Sequence, residues 1–172
     1  MKTEMQYVYL TWEDVEKSCM KIYSSMKANN YIPEIIIGLL WGGTVPTRIL
    51  VDLLGHKRTN TFVTHASLYD GIGKRRDHVD IGFNHDSLKT FANRKVLLVD
   101  DIWDSGMTMR AALKDLLEHN CIVSTATLVY KNVNSSIAPD YYDKTVDNDN
   151  MWVIFPWEKR EFVREVMKTE EK

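Results

Sequence analysis

Three aspartates follow a short apolar run near the middle of the chain. Asp100 and Asp101 come directly after residues 96–99 (VLLV). Asp104 follows two apolar residues later and opens the small polar segment 104–108 (DSGMT). Adjacent carboxylates can hold a divalent cation, and a polar segment that leads into a helix offers free backbone N–H groups to a phosphate. The pattern therefore predicts a metal-assisted reaction of a phosphorylated substrate.

The elements that must position these aspartates can be predicted from the same stretch. The apolar run is typical of a buried strand, and a helical pattern starts at about Met109 and continues to about Asn120. In open α/β folds, ligands bind at the carboxyl edge of the sheet. The three aspartates are therefore expected at that edge, ahead of the N-terminus of a helix.

Two further predicted strands are followed, at the same edge, by residues that could bind a ligand. Residues 35–40 (IIIGLL) precede residues 41–43 (WGG), and the β-branched stretch 122–130 precedes Lys131. A Gly-Gly turn lets a ligand approach the backbone closely, although a tight turn that binds nothing has the same pattern. Lys131, taken alone, is more typical of an ordinary solvated lysine.

Residues 67–90 are polar and contain the basic cluster Lys74, Arg75 and Arg76. A long polar segment inside a compact domain is usually a functional lid or a floppy insertion. The basic cluster is then either a solvated face or part of a lid that closes over an anion. The alternation in residues 79–81 indicates that some of the segment pairs as a hairpin, and the histidines and aspartates of the segment match no known metal geometry.

The rest of the chain alternates predicted helices with predicted strands. A capping box from Thr11 to Asp14 starts an amphipathic helix. Pro46 lies in the first turn of a second helix, which Gly55 ends. The other predicted elements are strands at residues 61–64 and 151–155, a loop at 132–150 and a charged helix at 158–168. This order predicts a single three-layer α/β domain with a mostly parallel central sheet.

The composition limits what kind of protein this chain can be. At 172 residues, 44% hydrophobic and 27% charged, it is ordinary for a soluble globular protein and long enough for one domain with a substantial core. A formal net charge of -2 gives no general signal for nucleic acid or membrane, so any anion binding must be local. No apolar run reaches transmembrane length and no signal-peptide core is present, while Cys19 and Cys121 lack metal or redox spacing. We therefore expect a cytoplasmic protein with reduced cysteines.

Residues 96–109 (VLLVDDIWDSGMTM) resemble the signature with which type I phosphoribosyltransferases bind 5-phosphoribosyl 1-diphosphate (PRPP). In that signature an apolar strand is followed by two acidic residues, two mostly apolar positions and Asp-Thr/Ser-Gly-x-Thr. The segments YLTWEDVEK, IIIGLLWGGTVPTRIL, APDYY and WVIFPWE are similar to the small microbial purine phosphoribosyltransferases, above all the archaeal purine enzymes and the bacterial xanthine-guanine enzyme. Only residues 67–90 and 143–150 are poorly covered by the resemblance.

This resemblance implies transfer of the phosphoribosyl group from PRPP to N9 of a 6-oxopurine (hypoxanthine, guanine or xanthine) in purine salvage. It also implies Mg²⁺ as the cofactor, a homodimer or homotetramer, a mobile lid at 67–90 and a small C-terminal hood at 131–158 that binds the base. Asp104 would be the general base. The residues implied in PRPP binding are Trp41, Gly42, Gly43, Arg75, Arg76, Asp100, Asp101, Asp104, Ser105, Gly106, Met107 and Thr108. Those implied in purine binding are Lys131, Trp152 and Val153, and those implied in metal binding are Asp101, Asp100 and Glu158.

Elementary chemistry agrees with these implied roles. Departure of pyrophosphate builds positive charge on the sugar, which nearby carboxylates stabilise once water is excluded, and Mg²⁺ neutralises the diphosphate. Lys131 would donate to the 6-oxo group and so reject adenine. Trp152 would stack on the purine, although a tryptophan taken alone is more typical of a core. Trp41 departs from the family, because the pyrophosphate turn usually has a basic residue at that position.

The alternative function is a regulator of the same fold that senses PRPP or a nucleotide, with weak or no catalysis. The chain has no added DNA-binding segment and no strongly basic surface run. Asp104 and Lys131 also favour an enzyme, because a sensor of PRPP alone needs neither. An aspartyl-phosphate enzyme or receiver does not fit, because its carboxylates should lie on an early strand.

Overall fold

The computed structural model describes residues 5–57, 60–68, 79–133 and 137–170, which form eight strands and five helices. In chain order these are β1 (Gln6–Tyr9), α1 (Trp12–Ala28), β2 (Ile35–Leu40), α2 (Thr44–Leu54), β3 (Thr61–Leu68), β4 (Val79–Ile81), α3 (His85–Lys89), β5 (Lys95–Trp103), α4 (Met107–Glu118), β6 (Ile122–Lys131), β7 (Tyr141–Val146), β8 (Met151–Ile154) and α5 (Lys159–Glu170).

Six of the strands form the central sheet, in the order β4-β3-β2-β5-β6-β7. Strands β3, β2, β5, β6 and β7 run parallel, and β4 pairs antiparallel with β3 at one edge. Parallel strands that are covered on both faces read as continuous apolar runs, and the first five residues of β2 are all buried. The predicted mostly parallel α/β sheet is confirmed.

Two hydrophobic clusters cover the opposite faces of this sheet. On one face Ile22 of α1 and Leu50 of α2 pack against the sheet, and on the other face Leu116 of α4 does so. Successive residues of β5 belong to different clusters, Leu97 to the first and Leu98 to the second, because side chains alternate along a strand. The chain therefore has the three layers predicted from its order of elements.

The predicted signals at the helix ends are present in the structure. Thr11 Oγ1 accepts a hydrogen bond from Asp14 N (3.1 Å), and Asp14 Oδ2 accepts one from Thr11 N (2.9 Å), so the capping box is confirmed. Gly55 ends α2 in the left-handed conformation with a φ of 62°. Trp12 at the start of α1 is 59% exposed, and its ring lies 5.8 Å from that of Trp157.

Several boundaries differ from the sequence-based expectations. The strand predicted to end before the aspartates continues as β5 through Trp103, and α4 begins at Met107, two residues before the expected start. Strand β7 lies in the segment predicted to be a loop. Only its two terminal residues, Tyr141 and Val146, are buried, and the polar residues between them hide the hydrophobic pattern by which a strand is recognised in a sequence. Strand β1 was not predicted, since three of its four residues are exposed.

Strands β1 and β8 form a second, two-stranded sheet, which we call the hood sheet and, together with the turn and the start of α5 that follow it, the hood; it includes residues 6–9, which lie outside the range 131–158 predicted for a base-binding hood. Strand β1 pairs in parallel with β8, with Tyr7 opposite Trp152 and Tyr9 opposite Ile154. Helix α5 follows β8 after a turn, and Phe162 of α5 contacts the rings of both tyrosines, at centroid distances of 5.0 and 6.1 Å. The N-terminal and C-terminal parts of the chain thus meet in one small element beside the central sheet.

Two further expectations concern the state of the cysteines and the presence of a membrane-spanning helix. Cys19 and Cys121 are both free and buried, as expected of packing residues, and burial raises the pKa of Cys19 to about 12. Within the described ranges, none of the helices has the length and apolar character of a membrane-spanning segment.

Candidate active site

Asp100 and Asp101 lie within the last residues of β5, at the carboxyl edge of the central sheet. Burial, together with repulsion from Asp101, raises the pKa of Asp100 well above its ordinary range. Burial also raises the pKa of Asp101 to about 7, and the nearby carboxylate of Glu158 adds to that shift. Asp101 N donates to Asp100 Oδ1 at 2.9 Å, but in the described part of the chain no basic side chain forms an ion pair with either carboxylate. When both of these carboxylates are ionised, their negative charges repel each other and are poorly solvated, so a bound cation would stabilise them.

The Gly-Gly turn after β2 lies directly against these two carboxylates. A Cβ atom at position 42 would come within 2.0 Å of Asp101 Oδ2, so only glycine fits there without displacing the carboxylate. The backbone N–H of Gly43 lowers the pKa of Asp100, in opposition to burial. Trp41 is 86% exposed. The turn therefore brings backbone close to the carboxylates and leaves its one large side chain in solvent.

Residues 104–106 connect β5 to α4, and residues 107–108 begin that helix. Gly106 has a φ of 72° and would clash with the buried Trp103 ring if it carried a Cβ atom, which accounts for glycine at this position. Ser105 Oγ accepts from Met107 N at 3.4 Å, and Arg110 Nη2 donates to the Ser105 carbonyl at 2.9 Å. The 12-residue helix α4 therefore follows β5 after three residues, at a glycine N-cap that makes no side-chain hydrogen bond to the helix, and the N-terminus of a helix favours an anion.

A buried lysine and a half-exposed aspartate form an ion pair at the ends of two neighbouring strands. Trp103 of β5 pairs with Tyr130 of β6, so the next residues, Asp104 and Lys131, lie side by side. Lys131 Nζ is 3.6 Å from Asp104 Oδ1, with side chains that are 7% and 49% exposed respectively. Lys131 is therefore not the solvated lysine that its residue type favours, since its amine is held in the interior next to a carboxylate that solvent or a ligand can reach.

The hood adds an aromatic side chain and a third carboxylate. Trp152 of β8 is 53% exposed, while its neighbour Val153 is buried. Glu158 Oε2 accepts from Phe155 N at 3.1 Å, and burial raises the pKa of Glu158. The charge of Glu158 also raises the pKa of Asp101, so these two carboxylates lie near each other.

The structure brings most of the predicted site residues to one place. The turn at 41–43, the carboxylates of β5, the segment 104–108 and Lys131 all lie at the carboxyl edge of the sheet, and Glu158 approaches that edge from the hood. Arg75 and Arg76 lie outside the described residues. Sequence reasoning missed Trp157, whose ring stacks on Phe155 at 4.9 Å. Its buried indole N–H makes no hydrogen bond of standard geometry, but it lies near enough to Asp101 to oppose the rise in the pKa of that residue. The segment WVIFPWE contains it, but nothing in its residue type indicated a contact with β5.

No complete metal site is preformed among the residues that the structure describes. Groups of three or more His, Cys, Asp or Glu side chains with the spacing of a metal cluster are absent from them. Asp100 and Asp101 are the carboxylates that a cation would meet at this edge, with Glu158 close by. This donor set suits Mg²⁺, which keeps several waters and substrate oxygens and takes few protein ligands.

Comparisons with known proteins agree with this geometry. The sequence profile of the family described as Phosphoribosyl transferase domain matches residues 7–160. Xanthine phosphoribosyltransferase 1 of Saccharomyces cerevisiae is 27% identical over 66% of this chain, and the chain spans 61% of that protein's length. The hypoxanthine-guanine phosphoribosyltransferase of Schizosaccharomyces pombe is 22% identical, with 90% of each chain covered. The crystal structure of a purine phosphoribosyltransferase from Pyrococcus horikoshii is 26% identical and superimposes with a TM-score of 0.72, covering 89% of this chain and 95% of that one.

Proposed function

The chain belongs to the phosphoribosyl transferase domain family, and we propose that it transfers the 5-phosphoribosyl group of PRPP to N9 of a 6-oxopurine. The products are the purine nucleoside 5'-monophosphate and pyrophosphate, as in purine salvage. Relatives that are named for xanthine, hypoxanthine and guanine support the choice of a 6-oxopurine as the acceptor.

The observation that carries this proposal is the ion pair of Lys131 and Asp104. O6 and N7 lie on the same edge of a purine, so one base can face both side chains at once. Lys131 Nζ, 3.6 Å from Asp104 Oδ1, would donate to O6, and Asp104 would face N7 and take up the proton that the base loses. A buried ammonium rejects the 6-amino group of adenine, because two donors would then be left facing each other.

The remaining parts of the sheet edge support PRPP binding. Residues 104–108 and the first turn of α4 would hold the 5-phosphate through backbone N–H groups and the hydroxyls of Ser105 and Thr108. Asp100 and Asp101 would face the ribose hydroxyls, and the turn at 41–43 would hold the pyrophosphate through its backbone. Arg75 and Arg76 stay predicted contacts of the lid.

Mg²⁺ fits this site because the two carboxylates have raised pKa values and no cationic partner among the described residues. When bound with the substrate, it supplies charge neutralisation for the departing pyrophosphate. Asp100, Asp101 and Glu158 are the residues that would hold it.

In the reaction, the bond between C1 of the ribose and the pyrophosphate oxygen breaks, and a bond from C1 to N9 of the base forms. The electron pair of the broken bond leaves with pyrophosphate, and the proton of the base passes to Asp104. The carboxylates at the end of β5 stabilise the positive charge that builds on the sugar between these events, provided that water is excluded.

A turnover assay with the purified protein tests this function. PRPP and Mg²⁺ are combined with hypoxanthine, guanine, xanthine or adenine, and pyrophosphate release and nucleotide formation are measured. We expect turnover of at least one of the three 6-oxopurines, none of adenine, and loss of turnover when the metal is chelated. If PRPP binds but none of the three bases is consumed, the protein is a sensor of the same fold and the proposed activity is wrong.

A further inference from the structure

The indole N–H of Trp157, in the turn between β8 and α5, is a buried hydrogen-bond donor. It has no acceptor of standard geometry among the described residues. Such groups are rare in folded proteins, because a buried donor gives up its hydrogen bond to water and gains nothing in return. An N–H of this kind is therefore expected to meet its acceptor in another state of the molecule.

Aromatic contacts and a closed turn fix the position of this indole. Its ring stacks on the buried ring of Phe155 at a centroid distance of 4.9 Å and an interplanar angle of 9°, and the ring of Trp12 lies 5.8 Å away. Within the turn, Phe155 N donates to Glu158 Oε2 (3.1 Å), and Glu158 N donates to the carbonyl of Phe155 (3.0 Å). The direction of the indole N–H is thus set by packing, so an acceptor has to turn toward it.

The carboxylate of Asp101 lies beside this N–H. Trp157 opposes the rise in the pKa of Asp101, an effect that a hydrogen-bond donor has only on a carboxylate within its reach. Gly42 also lies against the carboxylate, since a Cβ atom at that position would come within 2.0 Å of Oδ2. Asp101 is only 6% exposed, so a donor from the protein affects it more strongly than it would at the surface.

Glu158 supplies the force that opposes this hydrogen bond. Its carboxylate, on the residue after Trp157, repels that of Asp101. The same turn therefore acts on Asp101 through a donor and through a negative charge. A cation near the two carboxylates would cancel the repulsion and leave the attraction to the N–H. Binding of a substrate that brings a cation is thus the event that favours the bond.

We propose that Trp157 is a positioning residue, whose indole N–H donates to the carboxylate of Asp101 when PRPP and Mg²⁺ are bound. This inference rests on the proposed function, in which Asp101 faces the ribose hydroxyls and the metal. One carboxylate oxygen would accept from the indole while the other stays free for the ligand, so the bond selects one orientation of the group. A hydrogen bond to a charged acceptor is about twice as strong as a neutral one, which corresponds to about tenfold or more in affinity.

The test compares the wild type with Trp157→Phe, which keeps an aromatic ring against Phe155 and removes the N–H. In calorimetry with Mg²⁺ present, we expect the Kd for PRPP to rise by about tenfold. In steady-state turnover the KM for PRPP should rise by the same factor, while the KM for the base stays unchanged. Damage to the hood itself would instead raise the KM for the base, because Trp152 lies in the hood sheet.

Trp12→Phe is the matched control. It makes the same change in a ring that lies beside Trp157 and leaves the indole N–H of Trp157 in place. Its affinity for PRPP should equal that of the wild type. A loss as large as that of Trp157→Phe would assign the effect to aromatic packing and overturn the inference.

A spectroscopic measurement on the wild type tests the bond without any substitution. The chain has five tryptophans, whose ¹⁵N-labelled indole N–H groups can be followed by NMR as PRPP and Mg²⁺ are added. We expect the Trp157 signal, assigned through its proximity to the ring of Phe155, to move downfield, as formation of a hydrogen bond to a carboxylate requires. This measurement decides the question even if Trp157→Phe does not fold.

The possible outcomes separate this inference from the proposed function. The inference is overturned if Trp157→Phe binds PRPP as the wild type does, if its KM for the base rises as much as its KM for PRPP, or if the Trp157 signal does not move. Wild-type protein that binds PRPP with the expected shift and consumes no base would overturn the proposed function alone. Wild-type protein that does not bind PRPP would overturn both.

Discussion

Within β5 and the residue that follows it, three aspartates are treated in two opposite ways. Asp100 is half-buried and Asp101 is buried. Both have raised pKa values and lack a cationic partner among the described residues, whereas Asp104 is half exposed and lies 3.6 Å from the ammonium of Lys131. The negative charges of Asp100 and Asp101 are not balanced when both residues are ionised, so we call these two residues the uncompensated pair. The charge of Asp104 is balanced by Lys131, and we call these two residues the compensated pair. Under the proposed function, Asp100 and Asp101 would meet their cation only when a substrate brings one, while Asp104 would exchange a proton with the base.

Removing the acid of the compensated pair should have the largest effect. In Asp104→Asn we expect kcat to fall by about 10²- to 10⁴-fold, because a positioned general base contributes on that scale, while PRPP affinity is retained. Steady-state kinetics with calorimetric PRPP binding measures both. Asp52→Asn, which replaces an exposed aspartate paired with Arg48 on α2, is the control and should leave both values unchanged. Full activity in Asp104→Asn would remove this residue as the base.

Removing the cation of that pair should have the next largest effect. In Lys131→Met the 6-oxo group loses its donor and Asp104 loses its partner, so kcat/KM for the base should fall by about 10- to 100-fold with little change in the KM for PRPP. Lys114→Met, at an exposed position of α4, serves as the control. An equal loss in the PRPP and base parameters would contradict a role specific to the purine.

The uncompensated pair should reveal itself in the pH dependence of stability. Asp101 keeps its proton to about pH 7 in the folded protein, whereas the ordinary value is 3.8, so between these values the folded state binds more protons than the unfolded state. The free energy of unfolding should therefore decrease as pH rises from about 4 to above 7, by about 1–3 kcal/mol without Mg²⁺. Urea unfolding at several pH values measures this slope. In Asp101→Asn the dependence of the unfolding free energy on pH should be shallower. Equal slopes in the variant and the wild type would show that the pKa of Asp101 is not raised in the folded protein.

The smallest effect is expected at Trp41, in the turn that lies next to Asp101. Trp41→Lys adds a positive charge to the turn that contacts Asp101, at a position that is 86% exposed. Exposed charges contribute about 0.2–1 kcal/mol, so the KM for PRPP should fall by about two- to fivefold. Trp41→Gln, which removes the indole without adding charge, separates the two contributions. A higher KM in Trp41→Lys would mean that the indole itself contributes to binding.

The sequence predicts the core of the sheet better than its periphery. Continuous apolar runs identified β2, β5 and β6, and the residues that follow them supplied the turn at 41–43, the aspartates and Lys131. Strands β1 and β7 were missed because most of their residues are partly exposed or polar, so that pairing rather than residue pattern creates them.

The contacts within the site were less predictable than its composition. That a glycine contacts Asp101, or that Glu158 lies near it, depends on tertiary packing between segments far apart in the sequence. The burial of Lys131 also follows from its strand neighbours and not from its residue type. Local patterns therefore indicate which residues reach the sheet edge, but not which of them are paired there.

The pairing of β1 with β8 has a consequence for the order in which the protein becomes functional. During synthesis β1 is made before the central strands and β8 after them, so the hood sheet that carries Trp152 cannot form while the central strands are being completed. The carboxyl edge of the central sheet, with the turn proposed to bind phosphate, can assemble before it. Under the proposed function, a nascent chain would thus acquire its site for PRPP before it can recognise a base.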